Sequence, residues 1–271
     1  MSTPCIVLNN VCCQIGGQTL LDIPALTVLQ GERVAVIGHN GAGKSTLFKV
    51  LTGFVQPTHG NVQVLGRSLG ASLDTRQWRL LRREIGQVMQ GLHLVGRLSA
   101  LHNVLIGALG RVGGWRSWTR FFPAAEIQRA EAALQQVGML ARAATRADQL
   151  SGGEKQKVGV ARMLMQSPRL ILADEPTAAL DPTAAAEVCQ LLVAAAAGAT
   201  LLTVVHNPVL LPVLADRVIG LRQGRVVFDL SVSEVGDRQL VDLYRPLGSG
   251  FTPYWQVALP VPLPHEQRHS T

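Results

Sequence analysis

Three features of this 271-residue sequence predict an α/β fold. The runs "RVAVI" (Arg33–Ile37), "RLILAD" (Arg169–Asp174) and "TLLTVV" (Thr200–Val205) are apolar at strand length, the pattern of strands that a parallel sheet covers on both faces. Helical stretches alternate with them, among them Lys44–Leu51 and "PTAAAEVCQLLVAAAA" from Pro182. A glycine loop, "GHNGAGKSTL" (Gly38–Leu47), joins the first buried run to the first helix.

The elements follow in order. "CIVLN", "VCCQI" and "LTVL", separated by the turn residues "GGQ" and "QGE", predict a small antiparallel sheet ahead of the buried strand Arg33–Ile37. After the helix at Lys44, "NVQVLG" and "IGQVMQ" (Ile85–Gln90) read as further strands. From Gly91 to Gln166 the pattern turns helical. "SALHNVLIGAL" starts at a good N-cap, Ser99, and "PAAEIQRAEAALQQVG" starts with Pro123 and stops at Gly138. The economical organisation is an α/β domain over 3–245 with a helical insertion at about 91–158. "DRVIGL" and "GRVVFDL" read as two strands meeting at a turn that contains Gly224. Residues 246–271 are proline-rich without helical period and read as a tail, whose Tyr254–Trp255 pair packs on its own domain or docks a partner.

Apolar residues make up 47% and charged residues 16%, so a sizeable core is expected and global disorder is excluded. The net charge of +7, mostly from arginine, suits phosphate ligands, nucleic acid or an anionic membrane face without choosing among them. Cys5, Cys12, Cys13 and Cys189 form no C-x-x-C pair, which signals neither a zinc site nor a disulfide framework and fits the cytosol. No basic-then-apolar leader opens the sequence. The longest apolar run, Leu191–Val205, is shorter than the roughly 20 residues a membrane span needs and is broken by Gly198.

Gly38–Ser45 satisfies G-x(4)-G-K-[ST] between a strand and a helix, the pattern of a triphosphate-binding loop. Its glycines let backbone N–H groups converge on phosphates, and the helix start adds the positive end of its dipole. Lys44 is expected to reach the β- and γ-phosphates, and the Ser45 hydroxyl to ligate Mg²⁺. Asp174 and Glu175 close a buried strand. The first is placed to hold Mg²⁺ and the second to act as general base on the attacking water. "LSGGEKQKVGVARML" supplies a second helix start that can bind an anion, with Ser151 as N-cap followed by Gly152 and Gly153. One γ-phosphate does not easily sit at two helix starts of one domain. A head-to-tail pair, with Ser151 of one copy facing the Lys44 loop of the other, resolves this.

The loop at Gly38, "LSGG" at Leu150, "LILADEP" and a histidine at the end of the next strand together resemble the ATP-binding cassette (ABC) family over roughly residues 5–245. The resemblance implies a P-loop NTPase (RecA-like) core with an N-terminal antiparallel β-subdomain and an inserted α-helical signature subdomain. It also implies an ATPase that closes as a nucleotide sandwich of two copies and drives transmembrane permease subunits, fed indirectly by a periplasmic binding protein. Carried over by position, Gly38, His39, Asn40, Gly41, Ala42, Gly43, Lys44, Ser45 and Thr46 bind ATP, although His39 and Asn40 stand at variable positions. Gln90 resembles the glutamine that touches Mg²⁺ and reports to the permease. "AALD", ending at Asp181, resembles the loop that crosses the dimer interface, and His206 resembles the switch histidine on the γ-phosphate.

The sequence departs from the family at three places. Ile15 stands where an aromatic residue usually stacks on adenine; it can cover the base face without stacking. Glu154 and Lys157 replace the usual Gln and Arg, and Ala178 replaces a common Ser. The stretch from Gly91 to Leu150 shows no sustained heptads and the chain has one cassette, which speaks against clamp-type and ribosome-acting relatives and against a nucleic-acid partner. "RLSALHNVLIGALGR", "WRS", "RADQLSGG" and "DRVIGLRQGRVVFD" resemble the branch that imports phosphonates, with relatives for phosphite or hypophosphite. That places the chain peripherally on the cytoplasmic face of the inner membrane. Import of polar amino acids, a split exporter and a soluble ATPase are the alternatives.

Overall fold

Two long strands open the chain, β1 (Pro4–Ile15) and β2 (Gln18–Leu29), paired antiparallel as a hairpin. The computed structural model describes residues 3–70, 73–112 and 122–245. The proline-rich tail with Tyr254 and Trp255, and the "WRS" segment at Trp115, lie outside the described residues. With β4 (His59–Val64) and β5 (Arg67–Leu69) the hairpin makes a four-stranded sheet in the order β2-β1-β4-β5.

The second sheet has six strands. β3 (Arg33–Ile37), β6 (Ile85–Val88), β7 (Leu170–Asp174), β8 (Thr200–Val204) and β9 (Arg217–Arg222) run parallel, and β10 (Arg225–Ser231) returns antiparallel at one edge. Their order is β10-β9-β3-β8-β7-β6. The predicted α/β fold is the one observed. Residues on the central strands alternate between two hydrophobic clusters, as period-2 side chains must. Val34, Val36, Leu170, Leu172, Leu202 and Val204 face the first helix and the antiparallel sheet. Ala35, Ile37, Ile171, Ala173 and Leu201 face the helices of the other side. Covering both faces explains why these strands read as unbroken apolar runs. Each such Val, Leu or Ile contributes about 1.5–3 kcal/mol when removed from water.

The helices are α1 (Lys44–Leu51), α2 (Thr75–Glu84), α3 (Ala100–Leu105), α4 (Ala124–Gln136), α5 (Gly152–Leu164), α6 (Pro182–Ala195), α7 (Leu211–Leu214) and α8 (Asp237–Tyr244), among the described residues. Ser99 caps α3 by accepting from the His102 N–H at 3.2 Å, as its position predicts. Asp181 caps α6 by accepting from Thr183 and Ala184, both at 3.0 Å. α2, α7 and α8 have no counterpart in the sequence reading. α2 begins with a capping box between Asp74 and Gln77 and buries only Leu81 fully; α8 buries Leu240, Leu243 and Tyr244.

Candidate functional site

The glycine loop leaves the C-terminal end of β3, and Glu175 and His206 lie just past the C-terminal ends of β7 and β8. Gln90 follows β6 at the sheet edge. Parallel strands thus deliver four separated stretches of sequence to one rim of the sheet, where open α/β folds bind ligands.

A cavity of about 420 Å³ opens there, lined by Leu20, Asn40, Gly41, Gly43, Lys44, Ser45, Thr46, Gln90, Glu175 and His206. Size does not single it out: a groove of about 560 Å³ lies by Arg111, Arg129 and Met165. Its chemistry does. α1 starts at Gly43 with no side-chain cap, as do α4, α7 and α8, but of these only α1 starts in the lining of this cavity. The first N–H groups of α1 are therefore available to an anion. Close backbone packing needs the glycines. A Cβ on Gly38 (φ +154°) would overlap the carbonyl oxygen of Leu221, and one on Gly43 (φ +105°) would sit 2.7 Å from that of Leu20.

Lys44 is buried, and its ammonium donates to the carbonyls of Gly38 at 2.7 Å and His39 at 2.9 Å. Burial pulls its pKa down, with Glu175 and Asp174 opposing. Burial also pushes the Asp174 carboxyl up, and the neighbouring Glu175 charge adds to this, while Lys44 and His206 work against it. Glu175 has a left-handed backbone, φ +50°, uncommon for a residue with a side chain and typical of active sites. His206 Nε2 stands 2.7 Å from Glu175 Oε1.

Asp174 does not line the same cavity as Glu175. It borders an adjoining, more apolar one of about 450 Å³ with Ser45, Gln87 and Met89, so Ser45 is shared between the two. Ser45, Gln90 and Asp174 offer hydroxyl, amide and carboxylate oxygens, the donor chemistry that suits a hard divalent cation, and the Glu175 charge adds to the rise in the Asp174 pKa. Ile15 lies at the hairpin tip, 59% exposed and outside the cavity lining. The signature residues are not brought to this cavity. Ser151 Oγ accepts from the Glu154 N–H at 3.2 Å, and Glu154 answers by accepting from the Ser151 N–H at 2.9 Å. The Ser151 hydroxyl also engages the Glu154 carboxylate, and Ser151 and Gly152 are exposed.

The ABC transporter family profile matches residues 21–178. The chain belongs to the ABC transporter family. Several relatives named phosphonates import ATP-binding protein PhnC are 41% identical to this cassette. The one from Wolinella succinogenes aligns over 84% of both chains, and that from Nitratidesulfovibrio vulgaris over 85% of this cassette and 87% of its own length. Among solved structures, CbiO1 of Clostridium perfringens, part of the ABC transporter complex CbiONQ, superposes with a TM-score of 0.76 at 27% identity, covering 89% of this cassette and 94% of that chain. A dimeric ATP-binding cassette with bound ADP and Pi superposes at 0.71 with 30% identity, covering 84% and 98%. The cassette is an ATPase of this family, and among the described residues no helix is long and apolar enough to cross a membrane.

Sequence reasoning missed three contributors. Leu20 lines the cavity from β2. Arg162 of α5 donates to the carbonyls of Leu92 and His93, just after Gln90. Tyr244 packs against His39. The i, i+3, i+4 spacing of Leu240, Leu243 and Tyr244 was the available sign of α8.

Proposed function

We propose that this cassette hydrolyses ATP to drive import of phosphonates or the related phosphite and hypophosphite. In this reading it works as a head-to-tail pair bound to permease subunits at the cytoplasmic face of the inner membrane. The 41% identity to phosphonate-import relatives over most of both chains carries the cargo assignment. The gathering of Lys44, Ser45, Gln90, Glu175 and His206 around one cavity supports the chemistry.

The glycine-loop N–H groups and the uncapped start of α1 bind the phosphates, and the desolvated Lys44 ammonium exchanges its two carbonyl partners for β- and γ-phosphate oxygens. Ile15 offers an apolar face to adenine. Ser45, Gln90 and Asp174 would hold Mg²⁺, which when bound neutralises phosphate charge and relieves the repulsion between Asp174 and Glu175. Glu175 takes the proton from the attacking water, and His206, at hydrogen-bond distance, fixes the carboxylate and meets the γ-phosphate. Ser151, Gly152 and Gly153 sit away from their own cavity at an exposed helix start, which supports donation to the nucleotide of a second copy.

The test is growth of a cassette-deleted host on methylphosphonate, phosphite or hypophosphite as sole phosphorus source, with the genomic neighbours supplied. Rescue by the wild-type chain but not by Glu175→Gln supports both cargo and hydrolysis. No rescue by a chain that still hydrolyses ATP sinks the cargo assignment.

A further inference from the structure

The glycine loop is gripped at both ends by the C-terminal part of the chain. At its far end the Gly224 N–H, in the turn between β9 and β10, donates to the Ala42 carbonyl at 2.8 Å. The same glycine's carbonyl accepts from the Asp22 N–H at 2.8 Å. At its near end the Tyr244 ring meets the His39 ring edge-on, with centroids 5.0 Å apart and an interplanar angle of 73°. Tyr244 is buried, and burial raises its phenol pKa while the Gly38 backbone opposes the rise. Nε2 of His39 is buried as well. The helix carrying Tyr244 is tied back to the sheet by the Arg222 guanidinium, which donates to the carbonyls of Asp242 at 3.0 Å and Arg245 at 3.4 Å.

We infer that Tyr244 is a positioning residue for nucleotide binding, acting through His39 and Gly38. The inference rests on the reading of Gly38–Ser45 as the phosphate site. Gly38, Gly41 and Gly43 all have positive φ, so the loop has little steric reason of its own to hold one shape. Its N–H groups bind phosphate well only if they are already converged. The carbonyls that hold Lys44 belong to Gly38 and His39, the two residues Tyr244 touches or acts on. Tilting the His39 peptide therefore moves both the cradle and the ammonium. Tyr244 reaches no cavity-lining position, so its effect falls on binding rather than on the reacting atoms.

The experiment uses the full chain, with ATP affinity measured by displacement of a fluorescent ATP analogue and hydrolysis followed as kcat and KM. Tyr244→Leu and His39→Ala are each expected to weaken ATP binding about three- to tenfold, the range an edge-on ring pair accounts for, with kcat changed far less than KM. The double variant should be no weaker than either single one, and Tyr244→Phe should recover most of the affinity. Folded Tyr244→Leu with unchanged affinity, or a double variant whose losses multiply, overturns the inference. If Tyr244→Leu does not fold, His39→Ala decides alone: unchanged affinity overturns it. Lys44→Ala is the control on the underlying site, and ATP binding that survives it overturns the site reading and this inference together.

Discussion

His206 Nε2 and Glu175 Oε1 are 2.7 Å apart, so the imidazole orients a carboxylate whose own backbone is held at φ +50°. A general base needs its oxygen fixed more than it needs great basicity. Glu175→Gln keeps the shape and removes the proton acceptor. The kcat for ATP hydrolysis should fall by about a hundredfold or more while ATP is still bound. Steady phosphate release checks this; an undiminished rate removes Glu175 from the role.

Gly38→Ala should cost the fold as well as the ligand. Its φ of +154° is strained for any side chain, and the added methyl meets the backbone oxygen of Leu221, which cannot swing aside. Thermal unfolding should show a loss of roughly 1–3 kcal/mol or more. Gly41→Ala, at φ +81° with open space around its Cβ, should lose only about 1 kcal/mol.

Arg162 is half-buried, and burial lowers its pKa. Its two acceptors belong to Leu92 and His93, which have φ of +50° and +46°. Arg162→Met leaves those carbonyls without their donor, at about 1 kcal/mol for the part-buried one at Leu92. Hydrogen exchange at residues 91–95 should speed up well before that of the β7 amides. Equal acceleration of both would mean global loosening instead.

Ser151→Ala removes the side chain that closes the cap of α5, worth about 1 kcal/mol, and should also lower ATPase activity without changing ATP affinity of dilute protein. Glu154→Ala loses the reciprocal half of the cap but keeps the hydroxyl. If both variants lose equal activity, the hydroxyl has no role beyond capping.

Glu84 gives the acid dependence. Burial pushes its carboxyl up, but hydrogen bonds from Arg67 at 2.6 Å and Arg169 at 3.0 Å outweigh this and hold it below its ordinary 4.5. A depressed carboxylate stabilises the fold above its unfolded pKa, and that stability is lost as pH falls through the folded value. Glu84→Gln should therefore cost on the order of 1 kcal/mol at pH 7 and less at pH 3, since the carboxylate's contribution shrinks once pH falls below the ordinary 4.5. Unfolding curves at the two pH values test it, and an equal cost at both rejects the linkage.

Strands and glycine loop were legible because each announces itself locally. A run apolar on every residue has to be covered on both faces, and a loop of that spacing has few other uses. The helix Lys44–Leu51 has the bounds read from the sequence. α2 was not legible, since arginines fill its length and only Leu81 is fully buried, which leaves too little apolar period to detect. Its Asp74–Gln77 capping box was the signal to use. Adjacent Asp174 and Glu175 read as one cluster, yet the left-handed turn at Glu175 sends them to different cavities, something spacing does not encode. Leu20 and Tyr244 reach the loop through tertiary packing alone.

β6 is the outermost parallel strand, four residues long and hydrogen-bonded to a single neighbour, while β3, β7 and β8 each have two. Stiffness is therefore graded across the rim. Gly38, Glu175 and His206 hang from the rigid middle, and Gln90 hangs from the compliant margin. Displacing that margin breaks fewer strand pairings than displacing β3 or β8, so Gln90 is freer to shift than Glu175 and His206, which follow the paired strands β7 and β8.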